Sequence, residues 1–232
     1  MTPDGGIGAA ARRALELVGD DMRLGLGTGR AAAAFVTALA ERVRDGLRVT
    51  GVATSEASAR QAREAGIPLI DLPEDVDLDL TVDGADEVAP NLDLVKGFGG
   101  ALVRERIVAA ASQRQVILVG HDKLVGHLGM RGRIPIEVVP FACRPVLRRV
   151  RALGLAPVVR LAGGRPVISD NGNLTVDCGL ATPLAHTRAA DVLEASLLAI
   201  PGVIDTGLFL GTAERVLVGY PDGRVDVLEA ER

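Results

Sequence analysis

A group of acidic residues stands in the middle of the chain. Asp83, Gly84, Ala85, Asp86 and Glu87 follow residues 79–82, which predict a strand. In an open α/β sheet, ligands bind beyond the carboxyl ends of the strands. Carboxylates there can transfer protons. The motif alone is equally consistent with a helix N-cap followed by solvated turn acids, or with a divalent metal site.

A glycine-rich segment with one lysine follows the acids. Its residues are Lys96, Gly97, Phe98, Gly99 and Gly100, and a predicted helix over 101–111 carries Glu105. An ammonium group and loop N–H groups can stabilise a developing oxyanion. Glu105 can transfer a proton. The alternative for Glu105 is an exposed helix acid paired with Arg104 or Arg106.

A second glycine-rich loop, Gly25-Leu26-Gly27-Thr28-Gly29-Arg30, lies nearer the N-terminus, between a predicted strand (22–26) and a predicted helix (31–43). Free N–H groups at a helix N-terminus suit an anion such as phosphate. The loop is neither a dinucleotide fingerprint, because Arg30 occupies the third glycine position, nor a Walker loop. It could also be only a tight strand-to-helix turn.

The segment His121-Asp122-Lys123 follows a predicted strand over 115–120. His121 is either a general base or a surface residue. Lys96 and Lys123 are the only lysines among 26 basic side chains. Codon bias towards Arg explains this scarcity, but an ammonium is also a compact point charge that guanidinium does not replace.

The elements that position these residues alternate along the first half of the chain. Strands are predicted at 22–26, 47–53, 67–72, 79–82 and 115–120, and helices at 31–43, 55–65 and 101–111, with Ser55 as N-cap. This alternation predicts an α/β fold of the Rossmann-like type, with a mostly parallel sheet and helices on both faces.

The pattern changes near residue 130. Strands are predicted at 136–139, 157–161 and 166–169, and helices at 144–153 and 187–199. Asn171-Gly172 predicts a tight hairpin with positive φ at both residues. We therefore expect a smaller α+β domain over 131–200, and a catalytic domain over 1–130 and 201–232, with the tail returning to the first sheet.

Composition excludes several classes of protein. The 232 residues are 48% hydrophobic but only 2% aromatic, with a formal charge of −4. A stacking platform for single-stranded nucleic acid needs aromatic faces, and a nucleic-acid surface needs excess positive charge. No apolar run reaches the length of a membrane span, and no secretory signal is recognisable. Cys143 and Cys178 are expected to be reduced thiols, and the expected location is cytoplasmic.

Taken in order, these motifs resemble those of type A ribose-5-phosphate isomerases. The resemblance is carried by the segments 25–29, 82–87, 96–102 with 104–105, 135–140, 170–173 and 201–209. It covers nearly the whole chain. Its most specific part is the Asp-Gly-Ala-Asp-Glu block with the downstream Lys-Gly and Arg-Glu pairs.

The resemblance implies interconversion of D-ribose 5-phosphate and D-ribulose 5-phosphate in the pentose phosphate pathway, without a metal or organic cofactor, by a homo-oligomer, usually a dimer or tetramer. It makes Glu105 the general base, Asp83 and Asp86 the acidic pair and Lys96 the active-site lysine. The implied substrate-binding positions are Thr28, Gly29, Arg30, Ala31, Asp83, Gly84, Ala85, Asp86, Lys96, Gly97, Phe98, Gly99 and Lys123.

The sequence departs from the family pattern at a few of these positions. Arg30 and Ala31 stand where hydroxyl residues are common, so Arg30 is expected to bind phosphate in compensation or to point to solvent. Phe98 stands where many relatives have Gly, and Gly120-His121-Asp122 replaces small polar residues. The alternatives are a non-catalytic sugar-phosphate sensor, which should carry a helix-turn-helix, an isomerase of another phosphosugar, and a CoA-transferase, which needs a nucleophilic Glu in another context.

Overall fold

The structure is a computed structural model that describes residues 5–230. The strands are β1 (Met22–Leu26), β2 (Val49–Ala53), β3 (Leu80–Gly84), β4 (Glu87–Val88), β5 (Leu94–Val95), β6 (Gln115–Gly120), β7 (Arg133–Val138), β8 (Ala156–Val159), β9 (Leu161–Ala162), β10 (Arg165–Pro166), β11 (Leu174–Gly179), β12 (Val203–Thr206), β13 (Leu208–Phe209), β14 (Arg215–Gly219) and β15 (Val225–Glu229). The helices are α1 (Gly5–Ala14), α2 (Arg30–Arg44), α3 (Glu56–Glu64), α4 (Leu102–Ala110), α5 (Cys143–Ala152) and α6 (Thr187–Leu198). No helix within residues 5–230 is both long enough and apolar enough to cross a membrane.

The chain divides into two compact units. The first contains residues 1–85, 104–123 and 211–232, and the second contains residues 86–103 and 124–210. Residues 86–103, 124–130 and 201–210 thus group with the second unit, although they were predicted to lie in the catalytic domain. The division into a catalytic domain (residues 1–130 and 201–232) and a smaller domain (residues 131–200) stays a prediction.

A six-stranded sheet forms the centre of the first unit. Its strand order is β15-β14-β6-β3-β1-β2, and every neighbouring pair is parallel except β14–β15. Leu24 and Leu26 of β1 pack in one core with Phe35 of α2 and Ala10 of α1. Gly25 points to the opposite face, where an added Cβ would lie 2.6 Å from Val108 of α4. The predicted α/β fold with helices on both faces of a mostly parallel sheet is confirmed.

Antiparallel sheets form the second unit. A four-stranded sheet has the order β12-β7-β11-β8, and a three-stranded sheet has the order β13-β5-β4. Buried residues Ile136 and Val138 of β7 pack in one core with Val146 of α5 and Leu197 of α6. This α+β arrangement agrees with the class predicted for the second half of the chain.

The structure corrects some of the predicted elements. Residues 67–72 form no regular strand, because Pro68 has no N–H to donate and the pairing with β2 is one bridge, between Leu69 and Gly51. Helix α1 was not predicted. The tail returns to the first sheet only through β14 and β15, since β12 and β13 belong to sheets of the second unit.

The predicted hairpin at Asn171-Gly172 forms with a different turn. The N–H of Gly172 donates to the carbonyl of Ser169, and the N–H of Ser169 donates to the carbonyl of Asn173. The loop therefore has three residues, and only Gly172 of the predicted pair has positive φ, at 79°. A three-residue loop needs glycine only at its last position.

Candidate functional site

The loop after β1 brings backbone N–H groups to the start of a long helix. Strand β1 ends where the N–H of Gly27 donates to Val82 O at 3.0 Å. Gly29 then adopts a φ of 98°, which glycine tolerates best, and α2 begins at Arg30 and runs for 15 residues. The first N–H groups of such a helix have no partner within it, so they can bind an anion. This geometry is compatible with the anion-loop interpretation, which stays a prediction.

The side chains of this loop differ in their surroundings. Arg30 is exposed. The hydroxyl of Thr28 lies 2.7 Å from that of Thr54 and donates to that of Ser55 at 2.8 Å. Ser55 is the N-cap of α3, as predicted, and it exchanges hydrogen bonds with Ser58. The Thr28 hydroxyl therefore holds the loop against the end of β2.

Asp83 stands near the carboxyl end of β3 and is fully buried. Its Oδ1 accepts hydrogen bonds from the N–H of Thr28 at 3.0 Å and from the N–H of Gly84 at 2.7 Å. Neighbouring Gly27 has no room for a side chain, because a Cβ there would lie 2.1 Å from the same oxygen. The carboxylate is therefore built into the loop. It is not a solvated turn acid.

The other two acids of the cluster lie in the second unit. Oδ2 of Asp86 accepts the N–H of Phe98 at 2.9 Å, so Asp86 contacts the Lys96 loop. Glu87 is fully buried and accepts the N–H groups of Gly129 and Arg131 at 2.6 and 2.5 Å. Glu87 therefore fixes another loop, which accounts for its burial without a role in chemistry.

Lys96 is almost fully buried, with 2% of its surface exposed. The backbone N–H of Lys96 donates to the carbonyl oxygen of Gly207 at 2.9 Å. The side-chain Nζ lies 5.4 Å from the centroid of the Phe209 ring. Gly207 permits this approach, because a Cβ there would lie 2.3 Å from the carbonyl oxygen of Lys96. Gly97 then turns the chain with a φ of 96°. Lys96 thus stands at a fixed backbone position in an enclosed setting.

Glu105 lies in the first turn of α4 and is only 4% exposed. Arg104, its neighbour, donates to Glu56 at 3.1 Å. Glu105 is therefore not the exposed helix acid of the alternative interpretation. Glu and Lys side chains are rarely this buried, because removing a charge from water costs free energy.

The segment after β6 forms a short 3₁₀ turn over His121–Lys123. The ring of His121 stacks on that of Tyr220, with centroids 5.3 Å apart and planes 15° from parallel. His121 is exposed, so the contact supports the surface interpretation of this residue. Lys123, at the end of the turn, is half-buried.

Arg160 was not among the residues predicted for the site. Its Nη1 donates to the carbonyl oxygens of Gly97 and Phe98, both at 2.9 Å. The available signal was a charged residue inside the apolar run Val158-Val159-Arg160-Leu161, which was predicted only as part of a strand. Within residues 5–230, no group of three His, Cys, Asp or Glu side chains is arranged to hold a metal ion.

Comparisons with known proteins agree with the motifs. The model of the family "Ribose 5-phosphate isomerase A (phosphoriboisomerase A)" matches residues 50–223. A curated relative, ribose-5-phosphate isomerase A of Gloeobacter violaceus, is 50% identical over 220 residues, which cover 94% of each chain. The solved ribose 5-phosphate isomerase A of Methanocaldococcus jannaschii is 38% identical, with a TM-score of 0.91 over 98% of this chain and 100% of that one. A D-ribose-5-phosphate isomerase solved in complex with phospho-erythronic acid is 36% identical, with a TM-score of 0.92 over 99% of this chain and 100% of that one. The chain therefore belongs to the ribose 5-phosphate isomerase A family.

Proposed function

We propose that the chain catalyses the reversible conversion of D-ribose 5-phosphate and D-ribulose 5-phosphate. The observation that carries the proposal is the burial of Lys96 and Glu105, at the two positions that the resemblance assigns to the active-site lysine and the general base. Family membership and the names of the relatives support the same activity.

The proposed general base is Glu105. Aldose–ketose isomerisation moves a proton between C2 and C1 through an enediolate, and one carboxylate can take the proton from one carbon and return it to the other. When the carboxylate has little exposure to bulk water, the proton that it has taken is less readily lost to solvent and can be returned to the sugar. The position of Glu105 in the first turn of α4 favours its negative charge, because the helix dipole is positive there.

The proposed partner of the enediolate is Lys96. Negative charge develops on the sugar oxygens when the proton leaves carbon, and a fixed ammonium stabilises that charge best where water is excluded. Phospho-erythronic acid, the compound bound to the solved relative, carries a planar carboxylate that resembles an enediolate, and this likeness supports the proposed intermediate. Asp83 and Asp86 are proposed to manage the hydroxyl protons, including those that move when the furanose ring opens.

The proposed phosphate contacts come from the loop before α2. Thr28, Gly29, Arg30 and Ala31 stand at the N-terminus of that helix, where N–H groups and the helix dipole favour an anion. Lys123 is proposed as a second substrate-contacting lysine. Gly84, Ala85, Gly97, Phe98 and Gly99 are proposed to contact the substrate mainly through their backbone.

We also propose an oligomeric state, a location and a pathway for the enzyme. It would act as a homo-oligomer in the cytoplasm, in the non-oxidative part of the pentose phosphate pathway. It would need neither a metal ion nor an organic cofactor.

The decisive experiment is an assay of ribose 5-phosphate conversion by the purified chain, with and without EDTA. Equal turnover in both samples is the expected result. Absence of turnover in both would refute the activity, and turnover lost only with EDTA would refute metal independence. Ribose without phosphate is the matched control, and its turnover should be far slower because the phosphate loop has nothing to bind.

A further inference from the structure

Arg160 contacts the loop that carries Lys96 through two backbone oxygens. Its Nη1 donates 2.9 Å hydrogen bonds to the carbonyls of Gly97 and Phe98. Consecutive carbonyls of an extended chain point in opposite directions, so two of them can face one donor only where the chain turns. Gly97 supplies that turn with its φ of 96°. The turn at Gly97 therefore lets a single guanidinium nitrogen donate to both carbonyl oxygens.

Asp177 fixes Arg160 from the other side. Nε of Arg160 donates to Oδ2 of Asp177 at 3.0 Å, and Nη2 donates to Oδ1. Both side chains are only 14% exposed. Paired contacts of this kind fix the plane of the guanidinium as well as its position. Asp177 itself stands on β11, which is paired with β7 on one side and β8 on the other, so the support is rigid.

Three further contacts hold the same segment. The Arg133 guanidinium lies 4.2 Å from the centroid of the Phe98 ring, and its Nε lies 3.7 Å from Oδ1 of Asp177. Asp86 accepts the N–H of Phe98, and Gly207 accepts the N–H of Lys96. The backbone is therefore held immediately before and immediately after Gly97.

We infer that Arg160, oriented by Asp177, is a positioning residue that fixes the Lys96 ammonium for the isomerisation; the inference rests on the proposed function. Arg160 acts through the backbone of residues 97 and 98 and has no assigned contact with the sugar. Misplacing a reacting group by about 1 Å can slow a reaction about 100-fold. Loss of Arg160 should therefore lower kcat more than it raises KM, because the enediolate forms only after the sugar binds.

The test compares Arg160→Met with Arg165→Met, a control that removes an exposed arginine of the same unit. Steady-state kinetics are normalised to folded protein by circular dichroism. Arg160→Met should lower kcat by about 10-fold to 100-fold and raise KM by a smaller factor, because the backbone of residues 97 and 98 is also proposed to contact the bound sugar. Arg165→Met should match the wild type. A kcat for folded Arg160→Met within twofold of the wild type would overturn the inference.

Arg160→Lys covers the case in which Arg160→Met does not fold. Its ammonium keeps the positive charge beside Asp177 but cannot span two carbonyls and both carboxylate oxygens. We expect kcat of folded Arg160→Lys to fall by about threefold to tenfold. Wild-type kcat in this variant would equally overturn the inference.

A double-mutant cycle separates positioning from plain stability. If Arg160 acts through Lys96, Arg160→Lys should lower kcat much less in a Lys96→Arg background than in the wild type. Equal factors in the two backgrounds would contradict the inference. An inactive wild-type chain would instead refute the proposed function, so the two failures are distinguishable.

Discussion

The backbone N–H of Thr28 donates a 3.0 Å hydrogen bond to Oδ1 of Asp83, which also accepts the N–H of Gly84. A buried acid at the end of β3 thereby sets the path of the loop that follows β1. The two strands are parallel neighbours, with Leu26 paired to Val82, so their carboxyl ends lie side by side. The acid and the proposed phosphate loop are for this reason one structural feature, although 55 residues separate Thr28 from Asp83.

Gly27→Ala tests this close approach. The added Cβ would lie 2.1 Å from Oδ1 of Asp83, so the carboxylate or the loop must move. We expect a stability loss of about 1–3 kcal/mol, typical of overpacking, and at least a tenfold loss in kcat/KM, roughly as for a misplaced reacting group. Chemical unfolding and steady-state kinetics measure the two effects.

Gly8→Ala is the matched control for Gly27→Ala. Its Cβ would meet only the Arg12 side chain, at 3.6 Å, in helix α1. Alanine favours helix by about 1 kcal/mol over glycine, so this variant should be at least as stable as the wild type. Unchanged kcat/KM in Gly27→Ala would show that the contact with Asp83 has no role in activity.

Glu105→Gln tests the proposed general base. The amide keeps the size of the side chain but cannot accept the proton from carbon. We expect kcat to fall about 100-fold or more, with the melting temperature little changed. Glu64→Gln, at an exposed position near the end of α3, should leave turnover unchanged. Near-normal turnover of Glu105→Gln would move the base to another residue.

Local pattern was enough to predict most of the first unit. Alternating apolar runs gave the parallel strands, glycines marked the end of β1, and Ser55 marked the start of α3. These features depend on neighbours in sequence, so the sequence contains the information needed to predict them.

Features that depend on distant residues were harder to predict. The sequence of α4 alone could not predict that Glu105 is buried, because the same sequence is equally consistent with an exposed acid on the helix surface. The contact between Arg160 and residues 97 and 98 joins segments more than 60 residues apart. The predicted positive φ at Asn171 was wrong for a related reason. The length of the hairpin loop decides which residues need positive φ, and the sequence pattern alone does not give that length.

Lys96→Arg tests whether the scarcity of lysine has a chemical cause. Lys96 is 2% exposed, so its surroundings have little space for the broader guanidinium. We expect kcat to fall at least about tenfold despite the retained charge, because the two cations differ in shape and hydration. Lys123→Arg, at a half-buried position, should have a milder effect. Full activity of both variants would leave codon bias as the explanation.

Arg30→Ala separates the side chain from the backbone in phosphate binding. Arg30 is exposed at the first position of α2, and the N–H groups of that helix turn remain when its side chain is removed. We expect KM for ribose 5-phosphate to rise by about threefold to tenfold with kcat unchanged, as for loss of an exposed charge contact worth about 1 kcal/mol. An unchanged KM would mean that the loop backbone suffices.

The two thiols should differ in reactivity and in their effect on stability at high pH. Burial, with a smaller contribution from Asp177, raises the pKa of Cys178 to about 12. At pH 8 only about one Cys178 in ten thousand is then a thiolate, the form that reacts. A thiol reagent should therefore modify Cys143, which is partly exposed, in the native protein, and Cys178 only after unfolding.

The same pKa sets a pH dependence of stability. In the unfolded chain the thiol of Cys178 ionises near pH 8.5, whereas in the folded chain it stays protonated up to about pH 12. The unfolded state therefore loses its proton first, and the free energy of unfolding should fall as pH rises through this window. At pH 10 the difference is about 2 kcal/mol, from about 1.4 kcal/mol for each pH unit. Unfolding of the wild type and Cys178→Ala between pH 7.5 and pH 10 measures it: the wild type should lose more stability, and parallel losses would show that Cys178 does not stay protonated in the fold.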